Sequence, residues 1–382
     1  MKIFLDAIPL TEIVTGIQRY VRCLYTELES FPDISVSYCD RWSCSPEMPL
    51  QANPGRWSRR MGLIRRLPDS VILAGRILDR MNFERRLRRV QRKAKYDVFH
   101  ATAYFPPVIN DVPVVFTVHD LSLIKHREKH PRERVWFSDL FFKKRLPLAS
   151  HIISVSDFTR SELIEELGIP PHKITTIHLA QGTAFYRRSK SKILSVLDRR
   201  GWPRDYILFV GTLEPRKNLQ LLVKALPLLG SDIPLLFAGW SGWGDRDWWE
   251  EVTSMGLQDR VILTGYIDED TLACLYGGAS AFVYPSIYEG FGLPVLEAMA
   301  CGCPVLCTNC ASLPEVAGDA AVLIDPYDPE ALAHSLEQVI HDSGLKDRLV
   351  DAGAQRAKLF SWKKTASETF EVFKTATGRN RC

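Results

Sequence analysis

Short apolar runs alternate with helix-patterned stretches along almost the whole chain, and this alternation stops once and then restarts. KIFLDAI opens it, and SVSYCD, DVFHAT, PVVFTVHD, HIISVS and KITTIHL follow. Helical patterns fall between them, for example from Ile17 to about Ser30 and at Phe158–Leu167. Runs without inside-outside alternation suit strands covered on both faces, and intervening helices supply the crossovers of a parallel sheet. A polar, basic stretch, AFYRRSKSK at 184–192, then interrupts the pattern. After it come YILFVGT, IPLLFAGW, VILTGYI, SAFVYPS, CPVLCTN and AVLID. The expectation is two successive α/β domains with a linker near 180–195. A chain of 382 residues accommodates two domains of roughly 100–200 residues each. The tail FSWKKTASETFEVFKTA reads as an amphipathic helix with Trp362, Phe370 and Phe373 spaced for one face.

Composition bounds the class. Apolar residues make up 46% and charged residues 25%, which is ordinary for a globular chain. MKIFLDAIPL is too short and too polar for a signal peptide, and it reads as a buried first strand. No run approaches the roughly 20 apolar residues that cross a bilayer. The expected location is cytoplasmic, with peripheral attachment to the inner face of the membrane as an option. Net charge is only +4, yet residues 56–95 hold fourteen Lys and Arg against Asp69, Asp79 and Glu84. Leu63, Ile64, Val71, Ile72, Ile77, Leu78 and other apolar residues interleave those charges. Such a basic amphipathic helix suits an anionic membrane surface or an anionic acceptor. The plain alternative is a solvated helix face. A nucleic-acid footprint has no aromatic-rich strand or zinc-finger spacing behind it.

Nine cysteines are present, four of them in CGCPVLCTNC. Their spacing is C-x-C-x3-C-x2-C, and only Cys307 and Cys310 fit half of a zinc knuckle. They read as reduced thiols packing as small hydrophobes around a strand.

Four motifs fall just after expected strands, where doubly wound sheets bind ligands. TGIQRY (Thr15–Tyr20) follows the first strand. Its glycine permits close approach of backbone to a ligand, but it is not a G-x-G-x-x-G, and no G-x-x-x-x-G-K-[ST] occurs. GTLEPRKN (Gly211–Asn218) places Arg216 and Lys217 in a strand-to-helix loop, a fork and a point charge suited to a diphosphate. VHD sets His119 at a strand end, able to bond a sugar hydroxyl or help a proton move, although a lone histidine is more often structural. YEGFGLPVLE sets Glu289 in a glycine-containing turn and Glu297 in the helix that follows, with Pro294 suited to its first turn. Helical spacing of the two carboxylates, about 12 Å along the axis, exceeds the roughly 5–9.5 Å of a glycosidase pair. Two carboxylates that grip different hydroxyls of one long ligand fit better, with a diphosphate between them for Arg216 and Lys217.

Together TGIQRY, HD, SVSDFTRSEL, GTLEPRKN, FAGW, LTGYIDEDTLACLY and PSIYEGFGLPVLEAMACGCPV make the chain resemble the retaining glycosyltransferases of family 4, over nearly its whole length. The resemblance implies the α/β GT-B fold, two Rossmann-like doubly wound domains facing across a cleft. Residues 1–185 would form an acceptor-binding domain, 195–360 a nucleotide-sugar domain, and 361–382 a helix crossing back to the first. It implies that Glu289 and the amides of Gly290, Phe291 and Gly292 hold the donor sugar, in the loop that runs into Leu293. Glu297 would hold the ribose. Arg216 and Lys217 would bind the diphosphate and stabilise the leaving group. Gly16 would approach the diphosphate, His119 the transferred sugar, and the backbone near Tyr266–Ile267 and Gly239 the base. No cofactor and no metal are expected. Gln18 departs from the TGIGRY-type loops of relatives that transfer mannose. WSGWGDRDWW (Trp240–Trp249) reads mainly as packing at a helix start.

The implied activity is transfer of a mannose- or glucose-type hexose from a GDP- or UDP-sugar to a saccharide or lipid-linked acceptor of a cell-surface polysaccharide. A sugar-nucleotide epimerase on the same fold is the alternative within enzymes. A catalytically silent sugar-nucleotide-binding partner protein is the alternative outside them, and intact Arg216, Lys217, Glu289 and Glu297 speak against it.

Overall fold

The computed structural model describes residues 1–11, 16–50, 64, 67–239 and 245–379, with the backbone alone for 245–247. The chain divides into two compact units, Met1–Leu179 with Trp362–Cys382, and Ala180–Ser361.

The first unit holds a seven-stranded sheet of β1 (Lys2–Asp6), β2 (Ser35–Cys39), β3 (Cys44–Ser45), β4 (Val98–Ala101), β5 (Val114–Val118), β6 (His151–Ser154) and β7 (Ile174–Thr176). Their order is β3-β2-β1-β4-β5-β6-β7. All neighbours are parallel except β2 and β3, which a Cys39–Cys44 disulfide joins. β4 and β5 are buried throughout, as strands covered on both faces must be. Phe4, Phe99, Phe105, Phe116, Phe137 and Leu163 lie in the core beneath them. Each such side chain stabilises the fold by about 1.5–3 kcal/mol. The C-terminal helix Trp362–Ala376 packs in this unit, burying Trp362 and Phe373, with the Thr365 hydroxyl bonded to the His178 carbonyl at 2.7 Å.

Helix Asp69–Ala94 belongs to the first unit and covers much of the basic stretch. One side of it packs against the unit rather than facing solvent. Arg80 and Glu84 are buried and paired at 3.0 Å, and Arg80 also faces Asp6 at 3.7 Å. Of residues 56–66, only Ile64 lies within the described residues.

The second unit holds a six-stranded, wholly parallel sheet of β8 (Ile207–Val210), β9 (Leu235–Ala238), β10 (Val261–Gly265), β11 (Ala281–Tyr284), β12 (Val305–Thr308) and β13 (Val322–Ile324). The order β10-β9-β8-β11-β12-β13 reverses between β8 and β11. The inner four strands are fully buried, and the edges β10 and β13 are part-exposed. The basic stretch expected as a linker is helical from Lys190. Ser189 caps that helix (Lys190–Arg200) by accepting from the Lys192 amide, and Ile193, Val196 and Leu197 are buried. Amphipathic spacing of those three outweighs the polar composition that reads as a loop. Trp248, in helix Asp245–Ser254, is buried against Phe237 at 4.9 Å, and residues 240–244 of the tryptophan-rich segment lie outside the described residues.

Candidate active site

The strand order of the second unit reverses between β8 and β11, and in open α/β sheets such a switch point, at the carboxyl ends of the strands, is where ligands bind. Gly211 leaves β8, and a single 3-10 turn, Pro215–Lys217, follows. Asn218 then takes the left-handed conformation, with φ at 54°, ending the turn before helix Leu219–Ala225. From β11 the chain runs through Ser286–Gly292 into helix Leu293–Ala300, with Pro294 in its first turn as its fixed φ favours. The amide of Ile287 donates to the Arg216 carbonyl at 3.0 Å, tying the two loops together.

Four charges meet here. Lys217 Nζ lies 2.5 Å from Glu289 Oε1, and Arg216 Nη1 lies 3.1 Å from Glu289 Oε2. Arg216 Nη2 reaches Glu214 Oε1 at 2.7 Å. Lys217 also donates to the Tyr284 hydroxyl at 2.6 Å, and Arg216 to the Tyr288 carbonyl at 3.1 Å. Glu214, Lys217 and Glu289 are all buried. Burial alone would raise the pKa of Glu289, but Lys217 and then Arg216 outweigh it and hold the carboxyl down at about 2. Burial lowers the pKa of Lys217, with Glu289 opposing. The resting cluster is therefore a neutral set of two cations and two carboxylates in a low-dielectric pocket.

The glutamate-bearing loop is tethered from the β12 side. The Thr308 hydroxyl donates to the Ser286 carbonyl, and the Ser312 hydroxyl lies 2.9 Å from the carbonyls of both Glu289 and Phe291. Gly292 has φ at 107°, and a Cβ added there would lie 2.6 Å from Leu313 Cδ2. The left-handed conformation favours glycine, and a larger residue would also displace the Leu313 side chain. Gly290, Phe291 and Leu293 are buried beside it.

Glu297 lies in helix Leu293–Ala300, 1% exposed, and accepts from the Tyr276 hydroxyl at 3.1 Å. Gly239 follows β9, and its amide bonds the Gly265 carbonyl at 3.0 Å. A Cβ at Gly239 would meet the Gly211 carbonyl oxygen at 1.9 Å, so backbone must lie against backbone there. Tyr266 and Ile267 follow β10, the first exposed and the second buried.

Gly16 and His119 belong to the first unit. Gly16 is the exposed first residue of helix Gly16–Leu28. Thr15, also in the expected glycine loop, lies outside the described residues. Gln18 is buried in the first turn of that helix at negative φ, where glycine's freedom is not used. His119 follows β5 with Nε2 2.9 Å from the Thr102 carbonyl. A carbonyl can only accept, so Nε2 carries the proton and the neutral ring presents Nδ1 as an acceptor. Burial lowers the pKa of His119, with the Thr102 bond and Asp120 opposing. The Tyr20 ring meets His119 edge-on at 5.0 Å, and its hydroxyl bonds Thr117, which also bonds buried His100.

The family profile "Glycosyl transferases group 1" matches residues 200–356, and "Glycosyltransferase Family 4" matches 14–180. O-antigen chain mannosyltransferase B of Escherichia coli is 34% identical across 98% of this chain and 100% of its own length. The chain belongs to the group 1 glycosyltransferases. The fold of this glycosyltransferase is GT-B. A sucrose-phosphate synthase from Thermosynechococcus elongatus superposes with a TM-score of 0.76 at 21% identity, covering 99% of this chain and 100% of that one. Anabaena HepE, solved with UDP-glucose, superposes with a TM-score of 0.73 at 17% identity, covering 98% and 99%.

Some site residues of this glycosyltransferase escape a sequence reading. Glu214 sits within GTLEPRKN, two positions before its partner Arg216, and that proximity is a usable signal. Tyr284 and Tyr276 read only as strand and helix aromatics. Ser312 and Thr308 carry no signal, because their role depends on how β12 packs beside the loop. Cys301, Cys303 and Cys307 are buried, and burial pushes the thiols of Cys303 and Cys307 up to about 12, so they stay protonated.

Proposed function

We propose that this glycosyltransferase moves mannose, with retention of configuration, from GDP-mannose to a growing saccharide or lipid-linked acceptor in cell-surface polysaccharide synthesis. The single observation that carries a nucleotide-sugar donor is the four-charge cluster at the β8/β11 switch point. Arg216 and Lys217 offer a fork and a point charge to a diphosphate, and they stabilise the charge that develops on it as the glycosidic bond breaks. Glu289, with the amides of Gly290, Phe291 and Gly292, takes the sugar hydroxyls, and Leu293 closes that end of the loop. Glu297 takes the ribose. The backbone at Gly239, Tyr266 and Ile267 borders the base. In the first unit, Gly16 begins the ligand-facing helix and His119 offers Nδ1 to a substrate hydroxyl. The mannosyl assignment draws on the similarity to the O-antigen chain mannosyltransferase of E. coli.

The acceptor side includes an anionic surface in this reading. On helix Asp69–Ala94, Val71, Leu78 and Met81 are exposed, and Arg85, Arg88, Arg89, Arg92 and Lys93 line an open cavity of about 380 Å³. Exposed apolar residues followed by five cations fit a bilayer containing acidic lipid. No helix among the described residues is long and apolar enough to cross a membrane.

The test is a thermal-shift panel of GDP, GDP-mannose, UDP and UDP-glucose. A ligand at 100 times its Kd stabilises by about 2.7 kcal/mol. GDP-mannose should raise the midpoint most. A larger rise with UDP-glucose would overturn the donor, and no rise with any of them would overturn the site.

A further inference from the structure

Ser312 stands at the N-cap position of the short helix Leu313–Ala317. A serine there ordinarily turns its hydroxyl back to accept from a first-turn amide. Ser156 and Ser189 do so in this chain, accepting from the amides of Thr159 and Lys192. Ser312 makes no such bond. It is fully buried, and its single hydroxyl proton is shared between the carbonyls of Glu289 and Phe291, each at 2.9 Å. The peptide that carries the Glu289 carbonyl also carries the Gly290 N–H. The peptide that carries the Phe291 carbonyl also carries the Gly292 N–H. No cis peptide occurs among the described residues, and in a trans peptide the N–H points opposite to the C=O. One hydroxyl therefore fixes the orientation of two peptide planes and turns both amides away from Ser312.

We propose that Ser312 is a positioning residue for sugar recognition: by holding the carbonyls of Glu289 and Phe291 it fixes two peptide planes of the glutamate-bearing loop and aims the amide of Gly292 at the donor sugar. This rests on the reading that the glutamate-bearing loop holds the sugar while Arg216 and Lys217 hold the diphosphate. The Ser312 hydroxyl makes these bonds in place of a local cap.

Calorimetric titration of GDP and GDP-mannose into wild type, E289Q and S312A separates the inference from the reading beneath it. The readout is the affinity advantage of GDP-mannose over GDP. The reading requires that wild type shows this advantage and that E289Q loses it. If E289Q keeps it, the reading fails. Given that control, S312A should lose about tenfold of the advantage while its GDP affinity stays within about twofold of wild type. A merely structural serine would lower both affinities together, and that result overturns the proposal. An unchanged advantage in S312A overturns it as well. S312C keeps the volume and a weak donor, and it should fall between the two even if S312A does not fold.

Discussion

Replacing Glu289 by Gln removes one charge from a buried, neutral cluster while keeping the shape of the side chain. Glu289 is held at about 2 against an ordinary 4.5, with burial opposed by Lys217 and Arg216. At about 1.36 kcal/mol per pKa unit, that lowering corresponds to roughly 3 kcal/mol of native stability. Breaking one partner out of a buried ion pair costs roughly 3–5 kcal/mol, so two routes agree on scale. A depressed carboxyl contributes stability above its unfolded pKa and loses it as pH falls through the folded value. The deficit of E289Q should therefore be full at pH 7, roughly halved by pH 3, and smaller still below that. For a unit of this size it lowers the midpoint by about 6–12 °C at pH 7. The assay is calorimetric melting of both proteins across pH 3–8, following the transition of the second unit. The same variant leaves the cluster one positive charge in excess, so it should bind GDP more tightly than wild type while transferring sugar more slowly. An E289Q midpoint within a degree of wild type at pH 7, or a deficit independent of pH, would refute the reasoning.

Other consequences are simpler. G239A should leave the second unit unfolded or strongly destabilised, seen as loss of soluble protein or of its melting transition, because its Cβ meets the Gly211 carbonyl oxygen at 1.9 Å. The triple variant R85E/R89E/R92E should stop sedimenting with anionic vesicles at physiological salt, its melting midpoint unchanged since none of the three is buried. Burial lowers the pKa of His119 from its ordinary value, so the neutral ring predominates at pH 7–8. Activity there should show no imidazole-like step, and a step in wild type that H119N abolishes would contradict the geometry.

The topology was largely legible because the strands are short apolar runs broken by turn residues, and every strand from β4 to β13 falls within a run picked out by pattern. Boundaries shifted where local chemistry competes with pattern. Residues 184–192 read as a basic linker, whereas the chain is helical from Lys190 because Ile193, Val196 and Leu197 share one buried face. The glycine at 292 and the carboxylate at 289 were visible in YEGFGLPVLE, since glycine beside an acid before a proline-started helix has few purposes. What links them was not visible. The pairing of Lys217 with Glu289 joins positions 72 residues apart, and the Ser312 bonds to the loop join positions 21 and 23 apart. Such pairings depend on strand order, and one sequence gives the strands more readily than the order in which they lie. The Cys39–Cys44 disulfide was missed for a related reason, because β3 is only two residues long.

The neutrality of the resting cluster constrains how a donor enters. Lys217 and Arg216 are already engaged by Glu289, and Arg216 by Glu214 as well. A sugar hydroxyl arriving alone must compete with two cations for the Glu289 carboxylate, and a neutral hydroxyl does not displace a buried charge pair. A diphosphate arriving with the sugar changes the balance, because it draws Lys217 and Arg216 toward itself and frees carboxylate lone pairs for the hydroxyls. Recognition of the two ends of the donor is then coupled. Free mannose should show no calorimetric binding at millimolar concentration to the unliganded enzyme and measurable binding once GDP is saturating. Linkage makes this reciprocal, so mannose must tighten GDP by the same factor. E289Q should lose both halves of the effect. Equal mannose affinity with and without GDP would mean that the cations and the glutamate act independently, and the coupling argument would fall.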